Sequence, residues 1–297
     1  MYANPRFLVE TDWLAKNLDD PRLRIFDVTG MLTSSLVNLA DERSYRRGHI
    51  PGAAFLDVAG RDGALAKPGA SLPWTWPETD VALGELGRIG VSRESRVVLY
   101  AASPRPGVDK GMMWCTRAWW VMASLGVDCA VLNGGFEKWQ AEGRPVSTEN
   151  HRYPSTSCMA GPSSYGAVAS RQDVLRALQT SGVCVVDALS EDSFAGRGRA
   201  IYGPRKGHIS GALNVPANDL LAADGTFLDA PSLRARLGER RLFEAEQVVT
   251  YCGGGIAATV DAFALALLGH PNVMVYDASL MEWAPDPDLP MSDPQAR

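Results

Sequence analysis

The sequence predicts an α/β fold in two tandem copies, each a mainly parallel sheet with helices on both faces. Three observations predict it. Short β-branched runs alternate with helical patterns, as where RQDVLRALQTS (171–181) leads into GVCVVDA (182–188), and such alternation builds parallel sheets. Four stretches recur in the same order in the two halves. LRIFDV (23–28) resembles VCVVDA (183–188), and YRRGHIPGAAFLDV (45–58) resembles PRKGHISGALNVPA (204–217). RVVLYAASP (96–104) resembles QVVTYCGGG (247–255), and LGVDCAVLNGGFEKW (125–139) resembles LGHPNVMVYDASLMEW (268–283). A period of that size is a duplicated domain rather than a solenoid. Finally, 297 residues suit two domains with sizeable cores better than one.

The repeats place the boundaries. One copy occupies 1–145 and the other 166–297. Between them, 146–165 is rich in Ser, Pro and Gly and poor in apolar periodicity, the composition of a linker. Open parallel sheets bind ligands at the carboxyl ends of their strands. The run VVTY ends at Tyr251, so Cys252 falls at such an end.

Composition narrows the classes of function. The chain is 46% hydrophobic and 21% charged, as in ordinary globular proteins. A net charge of -5 argues against a nucleic-acid partner, which would demand a basic face. No apolar run approaches membrane-spanning length, and the first residues carry no basic segment followed by an apolar core. The expectation is a cytoplasmic protein without membrane association. The five cysteines contain no C-x-x-C pair and the four histidines are scattered, which excludes a disulfide framework and a clustered metal site. Cys184 and Cys129 read as buried strand residues.

Cys252 differs because glycines, not packing residues, follow it. In CGGGIAA the backbone N–H groups of a Gly-rich turn can converge on one point, and a helix starting near Ile256 adds the positive end of its dipole. Both favour a thiolate, so a lowered thiol pKa is expected. The glycines Gly253, Gly254 and Gly255 allow unusual backbone angles and close approach by a ligand.

GHIPGAAFLD, GHISGALNVP, LNGGFEKW, VVTYCGGGIAA and DASLMEWAPDPDLP together resemble the tandem rhodanese-type sulfurtransferases over nearly the whole chain. The resemblance implies two rhodanese-like domains, the first catalytically silent: Ala101 stands opposite Cys252. It implies a double displacement without cofactor or metal. The Cys252 thiolate takes the outer sulfur of a small anionic donor as a persulfide, then passes it to a thiol, cyanide or protein acceptor. The implied donor cradle is Gly253, Gly254, Gly255, Ile256 and Ala257. An arginine before the second GHI turn binds the donor's anionic group; Arg197 matches best, with Arg199 and Arg205 as further candidates. Asp57 matches an aspartate of mercaptopyruvate-using members, where it belongs to a Cys-Ser-Asp arrangement, but the position of that serine is Gly254 here. His49 and His208, repeated in both copies, read as structural.

Two other classes compete. A Cys-loop phosphatase needs an arginine six residues beyond the cysteine to clamp phosphate, and that position is Ala258. A non-enzymatic sulfur carrier or interaction protein has no need of an open glycine loop around a retained thiol. Within the sulfurtransferases, a neutral loop favours 3-mercaptopyruvate over the thiosulfate dianion, which remains the alternative donor.

Overall fold

The computed structural model describes residues 1–105 and 111–294. The chain divides into two compact units. One comprises Pro5–Ser164 with Ala223–Phe227; the other comprises Met1–Asn4, Tyr165–Ala222 and Leu228 onward.

The first unit contains β1 (Leu8–Val9), β2 (Leu23–Asp27), β3 (Ala54–Phe55), β4 (Arg96–Tyr100) and β5 (Cys129–Leu132). The second contains β6 (Ala167–Ala169), β7 (Val183–Asp187), β8 (His208–Ile209), β9 (Leu213–Asn214), β10 (Gln247–Tyr251), β11 (Val273–Tyr276) and β12 (Met291–Ser292). The sheet orders are β1-β5-β4-β2-β3 and β6-β11-β10-β7-β9. One order maps onto the other strand for strand, with every pair parallel. β8 and β12 form a separate antiparallel pair. In the central strands β4 and β10 four of five residues are buried, which explains why they read as unbroken apolar runs rather than alternating ones.

Register repeats as faithfully as order. Asp27 faces Tyr100 across β2 and β4, and Asp187 faces Tyr251 across β7 and β10. Each tyrosine hydroxyl accepts a backbone N–H from the GHI turn, Ile50 at 3.1 Å and Ile209 at 3.0 Å. The turn histidines serve the fold. His49 stacks on Tyr45 and bonds to its carbonyl, and His208 stacks on Phe194 and does the same. Trp139 and Trp283, fully buried, each donate Nε1–H to a proline carbonyl, Pro145 and Pro290. These pairs account for the repeated letters.

The segment from 146 to 164 packs along the first unit. The Tyr153 hydroxyl donates to the Gly52 carbonyl at 2.7 Å and accepts Ile25 N–H at 2.9 Å. Thr156 N–H donates to Gly87 and Gly161 N–H to Leu125. Its polar composition reflects backbone bonding rather than burial of a periodic apolar face. Among the cysteines, Cys129 is buried as expected, whereas Cys184 is only half-buried.

Candidate active site

Cys252 follows the last residue of β10 and is 3% exposed. The chain then bends through 253–257 before the helix Ala258–Leu267, two residues later than the sequence suggests. The backbone N–H groups of Ala258, Gly254 and Ile256 favour a thiolate at Cys252. Gly255 has φ +73°, and a Cβ there would overlap the Asp277 carbonyl. Only glycine fits that position.

Two further amides of the loop are taken by one side chain. The Ser279 hydroxyl oxygen accepts N–H from Cys252 and from Gly255, each at 3.1 Å, and donates to the Tyr276 carbonyl at 2.7 Å. Leu280 N–H bonds to the Cys252 carbonyl and Met281 N–H to that of Gly253. The loop is thereby tied to the chain after β11, and its amides divide into those fixing the backbone and those facing sulfur. Ser279 is fully buried and holds φ 51°, a left-handed angle that costs a non-glycine residue free energy. The first unit supplies an internal control. The aligned residue there is Gly135, with φ 58°, beside Ala101, the residue opposite Cys252. Where there is no thiol the position carries glycine, and where there is one it carries the strained serine. Comparing LNGGFEKW with VYDASLMEW could have flagged Ser279 from sequence.

The thiol itself departs from expectation. Burial pushes the Cys252 thiol up, and the amides of Ala258, Gly254 and Ile256 offset only part of this; Asp187 adds to the rise. Desolvation outweighs the cradle because nearly every atom around the sulfur is protein. Asp187, itself fully buried, is pushed up to about 7, chiefly by burial. One turn into the helix, Asp261 is buried with neither carboxyl oxygen hydrogen-bonded; burial, then Asp187 and Asp219, push it well up.

The arginines go to different places. Arg197 is half exposed and bonds Asp192 through Nε at 2.6 Å. Arg199 is exposed on the same loop. Arg205, offered as a donor-binding candidate, is committed elsewhere: it donates to the carbonyls of Trp283 (2.7 Å), Ala284 (3.0 Å), Leu289 (2.8 Å) and Asp286. Asp57 belongs to the other unit, where its Oδ1 accepts from Asn38 Nδ2 (2.8 Å), Gly60 N–H (2.9 Å) and Ala59 N–H (3.1 Å). Ala257 serves as the N-cap residue of the helix. Tyr202, on the loop before the second GHI turn, lies over Gly253 and near Cys252. Sequence reasoning passed over it because a tyrosine among basic loop residues carries no pattern.

Comparison with known proteins decides the lineage. The rhodanese-like domain model matches residues 10–142 and 170–286. The chain belongs to the rhodanese family. As a rhodanese it holds two domains and one Cys loop. It is 31% identical to 3-mercaptopyruvate sulfurtransferase of Escherichia coli (strain K12), over 96% of this chain and 97% of the relative. It is 32% identical to the sulfur carrier protein TtuD of Thermus thermophilus, over 95% of each, and 30% identical to mouse (Mus musculus) thiosulfate sulfurtransferase, over 94% and 92%. Among solved structures, the SseA 3-mercaptopyruvate enzyme of Escherichia coli superposes with TM-score 0.77 at 29% identity, covering 92% of this rhodanese and 98% of that chain. Among the described residues no helix is long and apolar enough to cross a membrane, and no cluster of His, Cys, Asp or Glu could hold a metal ion.

Proposed function

We propose that this sulfurtransferase carries a sulfane sulfur from a small anionic donor to a thiophilic acceptor as a persulfide on Cys252. A buried thiol at a strand end, with three backbone N–H groups of its own loop favouring its thiolate, carries the reading. A thiolate formed there attacks the donor's outer sulfur. With 3-mercaptopyruvate, a Cys252 S–S bond forms and the donor's C–S bond breaks; its electron pair goes to the carbon, which takes up the proton lost by the thiol and leaves as pyruvate. With thiosulfate the S–S bond of the donor breaks and sulfite departs. An acceptor nucleophile, whether cyanide, a small thiol or a protein thiol, then attacks the outer sulfur and the Cys252 thiolate leaves. The amides of Gly254, Ile256 and Ala258 stabilise negative charge on the nucleophile and on the persulfide.

The donor we favour is 3-mercaptopyruvate. The cradle offers only backbone dipoles, since CGGGIAA has no cationic side chain to meet a dianion. The anion-binding group is Arg197, whose exposed pair with Asp192 an incoming carboxylate can exchange at little cost; Arg199 is the second choice. Arg205 holds the C-terminal loop. Asp57 holds its own turn, which agrees with the absence of a loop serine at Gly254. A carrier role, as in the name of the Thermus relative, uses the same persulfide with a protein as acceptor. Mass spectrometry after treatment with each donor tests the reading: one added sulfur on Cys252, absent in Cys252→Ser, is expected. Sulfur on another cysteine, or turnover in the serine variant, overturns it.

A further inference from the structure

Cys252 is nearly inaccessible, yet a donor must reach its sulfur. The loop leading to the second GHI turn lays Tyr202 against the cradle. A Cβ on Gly253 would overlap two ring carbons of Tyr202 and meet its hydroxyl at 2.6 Å. The hydroxyl end of the ring therefore rests on the residue next to the nucleophile, and glycine at 253 is what leaves it room. Tyr202 is half-buried, packed against the core of its unit, while the loop positions preceding it, from Arg197 to Ile201, are exposed.

We propose that Tyr202 walls the sulfur pocket and that its hydroxyl donates a hydrogen bond to an oxygen of the bound donor, a carboxylate or keto oxygen of a small 2-oxo acid. The proposal rests on the sulfurtransferase reading above and adds, beside Arg197, a second group that recognises the donor. Tyr202 lies within electrostatic reach of Cys252, and burial, followed by Cys252 and Asp187, keeps its phenol protonated. It thus keeps a proton to donate throughout the working pH range. A neutral donor suits a carboxylate or keto oxygen without adding the full positive charge that would reward a dianion. It also completes the division of labour around Cys252: backbone amides face the sulfur, Ser279 fixes the loop, and a side-chain hydroxyl is left over at the mouth. Among the described residues that hydroxyl has no hydrogen-bond partner.

Tyr202→Phe removes the hydroxyl and keeps the ring. The test compares single-turnover persulfide formation on Cys252 from 3-mercaptopyruvate with discharge of the preformed persulfide by cyanide. Loss of a hydrogen bond to a charged group should slow the first step, or raise its half-saturation concentration, by roughly 10- to 100-fold. Discharge should be unchanged, and persulfide formation from thiosulfate should fall less. Unchanged formation from 3-mercaptopyruvate overturns the proposal and leaves the sulfurtransferase reading standing. Equal slowing of formation and discharge also overturns it, because it would mark a structural role for the hydroxyl. If the parent protein forms no Cys252 persulfide from either donor, the functional reading itself fails.

Discussion

The Ser279 hydroxyl oxygen accepts the backbone N–H of Cys252 at 3.1 Å, joining the cysteine loop to a residue beyond the next strand of the sheet. The same oxygen takes Gly255 N–H, so one buried atom sets the path of the loop on both sides of its glycines. Ser279→Gly suits the left-handed angle and reproduces Gly135 of the first unit, so the fold should survive. What it loses is the hydroxyl, leaving two buried N–H groups without an acceptor. The expected outcome is a fall in turnover of about 10- to 100-fold, from a cost of about 1–3 kcal/mol for unsatisfied buried groups. The alkylation pH profile of Cys252 should shift upward as the sulfur-facing amides lose their aim. A variant with parental turnover and an unmoved profile would reduce Ser279 to a packing residue.

The two arginines with known partners separate stability from donor binding. Arg205 donates to four carbonyls of the C-terminal loop, so Arg205→Ala should destabilise by about 2–4 kcal/mol, several charged-donor hydrogen bonds being lost together. Arg197 shares an exposed ion pair with Asp192, which contributes about 0–1 kcal/mol. Arg197→Ala should therefore melt near the parent temperature while weakening donor use by about 1.5–3 kcal/mol. Thermal unfolding and donor kinetics on both variants check this. A donor defect confined to Arg199→Ala would move the anion site along the loop.

The fold was legible because its cues are local and doubled. Val248 and Val249 declare a buried strand on their own, and GHI turns, tyrosines and tryptophans recur wherever the same backbone group needs a partner. Cys252 was legible for a similar reason: the glycines that shape its cradle adjoin it in sequence. Tyr202 was not, since its meaning depends on a contact across the GHI turn; for Ser279 the repeat marks the position, but the bonds that give it meaning run across β11. The direction of the thiol's pKa was misread. Loop amides and helix start are visible in CGGGIAA, but the burial that outweighs them comes from residues distant in sequence. Arg205 looked like its basic neighbours because the carbonyls it binds leave no mark in side-chain identity.

That burial has a kinetic signature. A thiol whose folded pKa lies above its ordinary value is protonated at neutral pH, so reaction with iodoacetamide should be slow at pH 7 and accelerate as pH rises beyond about 9. Donor-dependent persulfide formation need not follow that curve, since the bound donor can take the proton. A plateau in alkylation rate reached below pH 8 would show that the amides outweigh burial in solution.

Asp261 allows the balance of buried charge to be measured by stability. Its carboxyl keeps a proton in the folded chain, through burial first and then the neighbouring Asp187 and Asp219, yet ionises near 4 in the unfolded chain. The folded state then binds more protons than the unfolded state, and stability falls as pH rises. Asp27, pushed up to about 6, and Asp187, pushed up to about 7, act in the same direction, their contributions levelling off near those values. Asp261→Asn keeps the shape and removes the titration. Between pH 4 and pH 7 the stability difference should move steadily in the variant's favour. The amide adds a constant offset for its own unsatisfied groups, so the slope rather than the sign at one pH is the readout. Parallel stability–pH curves for parent and variant would mean that the Asp261 carboxyl finds a partner or water in solution, and the helix behind Cys252 would then be wetter than its apolar sequence ATVDAFALAL implies.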